Sequence, residues 1–120
     1  MTKPLALLLY ERVLPGSQLV NRFEDLGYRV QTISDAAELV ILSENERPMV
    51  VVADVVSSKT DVAAELVRLR QNEATSHIPV IAFGPEGTTQ IQAAQHTLMA
   101  NEAAVLNYLP QLLEQALRID

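Results

Sequence analysis

The sequence has 120 residues, of which 48% are hydrophobic and 20% charged, so it has the size and composition of one folded domain. Fifteen acidic residues against nine scattered basic ones give a formal net charge of -6, which argues against a nucleic-acid surface. Because cysteine is absent and no apolar run is long enough to cross a bilayer, we expect one cytoplasmic domain over residues 1–120, without disulfides, thiolate metal sites or membrane spans.

Five short apolar runs alternate with segments of helical periodicity, a pattern that predicts βα units around a parallel sheet. The first, third and fourth runs are apolar almost throughout, as expected for central strands that helices cover on both faces. The second run alternates between apolar and polar residues, which favours a position nearer an edge. The predicted strands are Leu5–Leu9, Tyr28–Ile33, Met49–Ala53, Ile78–Phe83 and Ala103–Leu106.

The segments between and after these runs place apolar residues at helical spacing and carry helix start and stop signals. Gly27 supplies the left-handed residue that ends the first helix. The predicted helices begin after Pro15, at Ser34 or Asp35, near Asp61, at Thr88 or Thr89, and at Pro110. Their apolar faces carry Leu19, Val20, Phe23 and Leu26 in the first helix, Ala37, Val40 and Ile41 in the second, Ala64, Leu66, Val67 and Leu69 in the third, and Leu112, Leu113, Ala116 and Leu117 in the fifth.

Five βα units with right-handed crossovers predict a flavodoxin-like α/β sandwich of three layers, with a parallel sheet in the order 2-1-3-4-5. In this order a site forms outside the carboxyl ends of strands one and three, where the strand order reverses. The side chains to inspect follow the predicted strands directly. They are Tyr10, Glu11, Asp54, Gly84, Asn107 and Tyr108.

Several landmarks occur together at fixed spacing along the chain, and no single one of them is diagnostic. They are Leu26–Val30, Ser34–Ala37, Glu46–Asp54, Asp61–Arg70 and His77–Phe83. Taken jointly, they resemble the receiver domain of two-component response regulators over nearly the whole chain. The resemblance places Asp54 on the aspartate that accepts a phosphoryl group in that family, and it implies a signalling domain rather than an enzyme.

The resemblance also implies an acid pocket, in which two acids after strand one and the acceptor aspartate gather around magnesium. The two acids correspond to Tyr10 and Glu11, so one of them is replaced. Glu11, Asp54 and the backbone carbonyl of Val56 would bind a cation weakly, so we expect no cofactor or a weakly bound magnesium ion. Tyr10 would donate a hydrogen bond to Asp54, fill the metal pocket, or pack on its rim.

The side chains that contact the phosphoryl group in receivers are replaced as well. The hydroxyl residue that ends strand four corresponds to Gly84, and the lysine after strand five to Tyr108, or to Asn107 in a register moved by one. The aromatic switch residue of strand five falls on Ala104 or Val105. Since acyl phosphate formation needs the developing charge to be neutralised, these replacements argue against efficient phosphorylation.

Three functions fit these residues. The first is a degenerate receiver that acts through contacts with a signalling kinase or an output protein, and the second is a phosphorelay receiver that still uses Asp54. The third is a flavodoxin-like domain that binds a small molecule. For this third function Leu14–Ser17 offers amide groups at a helix start but no hydroxyl-rich phosphate loop. No triad pattern indicates an enzyme, and we expect His77 and His96 at the surface.

The last third of the chain, Gly87–Asp120, has Arg118 as its only arginine or lysine and is rich in Ala, Gln and Leu. In receivers the face formed by helix four, strand five and helix five mediates dimerisation or output contacts. A homodimer through helices four and five is therefore one interpretation. Packing of the same apolar side chains into the core is the other.

Overall fold

The computed structural model describes residues 3–11, 13–55, 62–84 and 97–118. The strands are β1 Leu5–Leu9, β2 Arg29–Ile33, β3 Val50–Asp54, β4 Val80–Gly84 and β5 Thr97–Asn101, and the helices are α1 Val13–Asp25, α2 Leu39–Glu46, α3 Val62–Gln71, α4 Glu102–Asn107 and α5 Leu109–Arg118. A 3₁₀ turn, Ala36–Glu38, leads into α2. Within these ranges, no helix has both the length and the apolar character needed to cross a membrane.

The five strands form one parallel sheet in the order β2-β1-β3-β4-β5, which confirms the predicted topology. Every residue of β1, β3 and β4 is buried, as the continuous apolar runs predict for central strands. Strand β2 lies at an edge, and only Ile33 among its residues is buried. The alternating pattern of this strand therefore identified its position correctly.

Helices cover both faces of the sheet, which confirms the predicted three layers. Successive strand residues alternate between the faces, so Leu7 and Val51 belong to one apolar cluster while Leu8 and Val52 belong to the other. Helices α2 and α3 complete the first cluster, and α1 and α5 complete the second. Burial of each large aliphatic side chain contributes about 1.5–3 kcal/mol, so these two clusters hold the layers together.

The end of α1 shows why Gly27 is needed. Gly27 has a φ of +89°, its N–H donates to the carbonyl of Glu24, and the N–H of Tyr28 donates to the carbonyl of Phe23. This pair of bonds is the Schellman motif, and the rings of Phe23 and Tyr28 pack edge to face with centroids 5.2 Å apart. Burial raises the pKa of the Tyr28 phenol. Leu26, by contrast, is 42% exposed, so its predicted place on the packed face was wrong.

The second and third helices begin near the predicted positions, but each exposes a residue that was predicted for its apolar face. The Asp35 carboxylate accepts from the N–H of Ala37 at 3.0 Å and caps the 3₁₀ turn rather than α2 itself. In α2, Ile41 is 62% exposed. In α3, Leu66 and Leu69 are buried as predicted, whereas Val67 is 50% exposed. The two β-branched residues were therefore assigned to the core wrongly.

The prediction of strand five at Ala103–Leu106 was wrong. Strand β5 is Thr97–Asn101, paired with β4 from Val80 to Gly84, and the predicted segment lies in α4. The side chain of Asn101 caps α4 by accepting from the N–H of Ala104 at 2.7 Å. A short apolar run does not distinguish a strand from a helix by itself, and here alanine and leucine after a capping residue favour the helix.

The remaining helix predictions divide into one that is confirmed and one that lies outside the described residues. Pro110 lies in the first turn of α5, where its missing N–H has no helical partner to lose. Leu113 and Ala116 are buried against the sheet, while Leu117 is 41% exposed. The predicted start at Thr88 or Thr89, together with His96, falls outside the described residues.

Candidate functional site

One row of side chains crosses the carboxyl ends of the central strands. Asp54 pairs with Phe83 of β4, and Phe83 pairs with Ala100 of β5. On the other side Leu9 pairs with Ala53, so the next residue of the same register, Tyr10, lies beside Asp54. Neighbouring strands lie about 4.8 Å apart, so Asp54 lies between two aromatic residues.

Asp54 is almost completely enclosed, with 1% of its surface exposed. It ends β3 on the face occupied by Val50 and Val52, which is the face covered by α1 and α5. Phe83 is a buried member of the same cluster and the ring of Tyr10 packs against that cluster. Access to the carboxylate from solvent is therefore narrow.

Tyr10 packs as a core residue on the rim of the site. Its N–H donates to the carbonyl of Ile33 at 3.0 Å, which fixes the backbone at the start of the loop. Its ring lies against Gly16 in α1, and a Cβ built on Gly16 would collide with ring atoms Cε2, Cδ2 and Cζ. Gly16 is buried as well. Of the three roles considered for Tyr10, packing on the rim is the one with observed contacts.

Two candidate carboxylate ligands for a weakly bound magnesium ion are present among the described residues. Glu11 is half-buried directly after Tyr10 and, with Asp54, supplies two carboxylates at this end of the sheet. Magnesium prefers octahedral coordination by oxygen and usually keeps several water ligands, so proteins bind it through one or two carboxylates. No group of three or more acidic, histidine or cysteine side chains able to hold a metal occurs in the part of the chain that the structure describes. Val56 lies outside that part, so weak binding through its carbonyl stays a prediction.

The position of β5 changes the residue that lies at the end of strand five. Gly84, the last residue of β4, pairs with Asn101, the last residue of β5. Asn107 and Tyr108 do not follow a strand, because Asn107 ends α4 and Tyr108 lies between α4 and α5 with 60% exposure. Their assignment to the end of strand five was therefore wrong, because the strand begins six residues and ends five residues earlier than predicted.

The corrected position of strand five supplies neither the lysine nor the aromatic residue that the resemblance implies. The chain has no lysine after Lys59, so no alignment of strand five can supply one. Thr97–Asn101 also contains no aromatic residue. The same was true of Ala104 and Val105, the positions that the resemblance assigned to the aromatic switch residue. Asn101 uses its side-chain oxygen to cap α4.

Three residues that sequence reasoning missed lie at or beside the site. Phe83 flanks Asp54, Gly16 makes room for Tyr10, and Asn101 ends β5. A signal existed for Asn101, since Asn followed by Glu-Ala-Ala is typical of a helix start. The contact between Tyr10 and Gly16 had no sequence signal, because it joins a loop to the following helix through side-chain packing.

Comparison with known proteins gives a consistent result for the fold. No family model matches the sequence, and no curated protein matches it. Solved structures that resemble the chain include the receiver domain of a sensor histidine kinase from Pseudomonas aeruginosa, with 18% identity, 98% of both chains covered and a TM-score of 0.84. A second is the chemotaxis protein CheY4 of Vibrio cholerae, with 16% identity, 96% of this chain and 99% of that chain covered, and a TM-score of 0.81. The chain has the receiver fold.

The resemblance read from the sequence is therefore confirmed at the level of the fold. A third similar structure, the signal receiver domain of an HD domain-containing protein from Pseudomonas fluorescens, covers 98% of this chain with 17% identity and a TM-score of 0.80. The Pseudomonas aeruginosa structure holds a magnesium ion in its active site cleft. In the receiver fold of the present chain, the corresponding end of the sheet carries Tyr10, Glu11 and Asp54.

Proposed function

We propose that this chain is a signalling receiver domain that acts through protein–protein contacts, with Asp54 retained as part of the fold and not as an efficient phosphoryl acceptor. The observation that carries this proposal is the row Tyr10, Asp54, Phe83, in which a carboxylate with 1% exposure stands between two aromatic residues. Phosphoryl transfer depends on fixed charges around the transferred group. This row provides rings where such charges would be needed.

The surrounding positions support the same conclusion. Gly84 offers no hydroxyl at the end of β4, and Asn101 directs its side-chain oxygen to the N–H of Ala104. A proton donor or a cation at either position would stabilise the charge that develops on the phosphoryl oxygens. Gly84 offers neither and Asn101 carries no charge, and the conformation of the domain is then set by its protein partners, a signalling kinase or an output protein in the cytoplasm. We expect no enzyme activity of its own.

The test is phosphorylation in the presence of magnesium and acetyl phosphate, read by intact mass. The wild-type chain and the variants Asp54→Asn and Asp25→Asn are incubated beside a receiver domain that is fully phosphorylated under the same conditions. Asp25 ends α1 on the surface and serves as the matched acidic control. We expect no stoichiometric adduct on any form of this chain.

A stoichiometric adduct on the wild type and on Asp25→Asn that is absent from Asp54→Asn would contradict the proposal. It would favour the second function, a phosphorelay receiver with Asp54 as acceptor. The position of Asp54 at the end of β3, with Glu11 at the same end of the sheet, is the observation that keeps this second function in consideration. The third function, flavin binding, is checked by the visible absorption of the purified protein, which we expect to be absent.

A further inference from the structure

A cleft of about 370 Å³ lies at the amino ends of the strands, whereas Asp54 lies at their carboxyl ends. Strands of five residues separate the two ends by roughly 16 Å, so this cleft is distinct from the site described above. Its walls come from the residues that precede or begin β1, β2, β3 and β4. The charged and ring-nitrogen side chains of its lining are Lys3, Arg29, Glu46, Arg47 and His77.

Among the described residues, no side chain neutralises the cations of this cleft. Lys3, Arg29 and Arg47 form no salt bridge with any residue that the structure describes, and Glu46 pairs with none of them. Arg29 uses Nε to donate to the backbone carbonyl of Lys3 at 3.2 Å, which holds its guanidinium at the rim. With three cations and one carboxylate in its lining, the cleft is locally positive, although the formal net charge of the chain is -6.

Arg47 holds its place at a conformational cost. Its φ of 49° and ψ of 61° are left-handed, a conformation in which glycine would be the usual residue at the end of α2. A cation at the carboxyl end of a helix is favourable, which accounts for part of this choice. The same reason does not apply to Lys3 and Arg29, which precede and begin strands.

The backbone that carries these side chains is fixed before any ligand binds. The N–H of Arg29 donates to the carbonyl of Pro4 at 2.8 Å, and the N–H of Met49 donates to the carbonyl of Leu5 at 2.8 Å. Met49 is 47% exposed and adds an apolar surface beside the cations. A preformed concave site with a few convergent polar groups and some apolar lining is the usual form of a small-molecule site, for which volumes of about 300–1,000 Å³ are typical.

We propose that this cleft binds a small organic anion with at least two negative charges, of the phosphate-ester class. A guanidinium group can donate two parallel hydrogen bonds to oxygens of one phosphate group. Arg29 and Arg47 both line the cleft. Lys3 adds a third positive charge, and the exposed side chain of Met49 offers an apolar surface to the organic part of the ligand. This proposal is independent of whether Asp54 accepts a phosphoryl group.

The experiment is a calorimetric titration of the full chain with pyrophosphate, at constant ionic strength and without magnesium. The test variant is the double substitution Arg29→Gln and Arg47→Gly, in which glycine suits the left-handed position. The matched control is Arg22→Gln, which removes one positive charge from the surface of α1, away from the cleft. Circular dichroism spectra verify that all three proteins are folded.

We expect saturable binding to the wild type and to Arg22→Gln with equal affinity. The double variant is expected to lose about 100-fold in affinity, because each charged hydrogen-bonding group contributes about tenfold or more. Absence of saturable binding to the wild type overturns the proposal, as does an equal loss in Arg22→Gln, since that would show unspecific charge attraction. Saturable binding of a polyglutamate peptide in place of pyrophosphate also overturns it, in favour of a protein partner.

Discussion

The ring of Tyr10 lies against the start of α1, where Gly16 leaves the space for it. Glycine in a helix normally lowers stability relative to alanine by about 0.5–1 kcal/mol. Here the opposite holds, because an added Cβ would meet the ring of a residue that packs against the α1 and α5 side of the core. The ring of Tyr10 and the glycine in the helix therefore depend on each other.

A double-mutant cycle tests this dependence. We expect Gly16→Ala to lower the free energy of unfolding by about 1–3 kcal/mol, as overpacked core sites do. In the Tyr10→Ala background the same substitution should be neutral or stabilising, because the ring is gone. Urea unfolding followed by circular dichroism measures all four proteins. A stabilising effect of Gly16→Ala in the wild-type background would show that the ring does not occupy this space.

Arg47 and Gly27 have left-handed backbone conformations, and we predict opposite effects for substitutions at these two positions. Arg47→Gly should raise the free energy of unfolding by about 0.5–1 kcal/mol, since glycine relieves the strain of a side chain at φ 49°. Gly27→Ala should lower it by about 1 kcal/mol, although nothing lies within 4 Å of the added Cβ, because the penalty comes from φ +89° alone. Equal signs in urea unfolding would contradict this reasoning.

At the scale of elements, the end of β5 and the start of α4 share one residue. Asn101 pairs with Gly84 as the last residue of the strand and caps the helix through its side chain. A six-residue helix has few internal hydrogen bonds, so its cap carries a large part of its stability. In this fold a lysine at position 101 would place a charge near the site but remove the cap.

We expect Asn101→Ala to lower the free energy of unfolding by about 1 kcal/mol, because the N–H of Ala104 loses its acceptor. Asn107→Ala is the matched control, since Asn107 is exposed at the other end of the same helix. Hydrogen exchange at the amide of Ala104 gives a local readout. Equal effects of the two substitutions on stability would mean that the cap contributes nothing.

At the scale of the whole molecule, α5 divides its apolar residues between the core and the surface. Leu109, Leu113 and Ala116 are buried, so most of the apolar character of this segment is explained by core packing. Tyr108 and Leu117 remain 60% and 41% exposed. The homodimer predicted through the last two helices is therefore a proposal that rests on these two side chains, because the predicted fourth helix lies outside the described residues.

Light scattering over a concentration series tests this proposal. We expect the molar mass to rise towards that of a dimer for the wild type and to stay at that of a monomer for Leu117→Glu. Val67→Glu places the same charge on an exposed apolar residue of α3 and should behave as the wild type. A monomer at every concentration, or loss of the dimer in both variants, would contradict an interface at α5.

The sequence predicted most of the fold but only part of the site. Continuous apolar runs identified β1, β3 and β4, the alternating run identified the edge strand β2, and Gly27 and Pro110 marked helix boundaries correctly. These features depend on the local sequence or on burial of both faces of the sheet, so the pattern of apolar and polar residues predicts them. Strand five was misplaced because a short apolar run fits a strand and a helix equally well.

The sequence by itself determined the chain's class, its strand order and the position of Asp54 at the end of a central strand. It also determined that no lysine is available after Lys59. Only the tertiary structure decided that Tyr10 packs on Gly16, that Phe83 flanks the aspartate, and that Asn101 ends the last strand. The reason is that these contacts join residues across strands and layers, where packing and register, and not local propensity, select the neighbour.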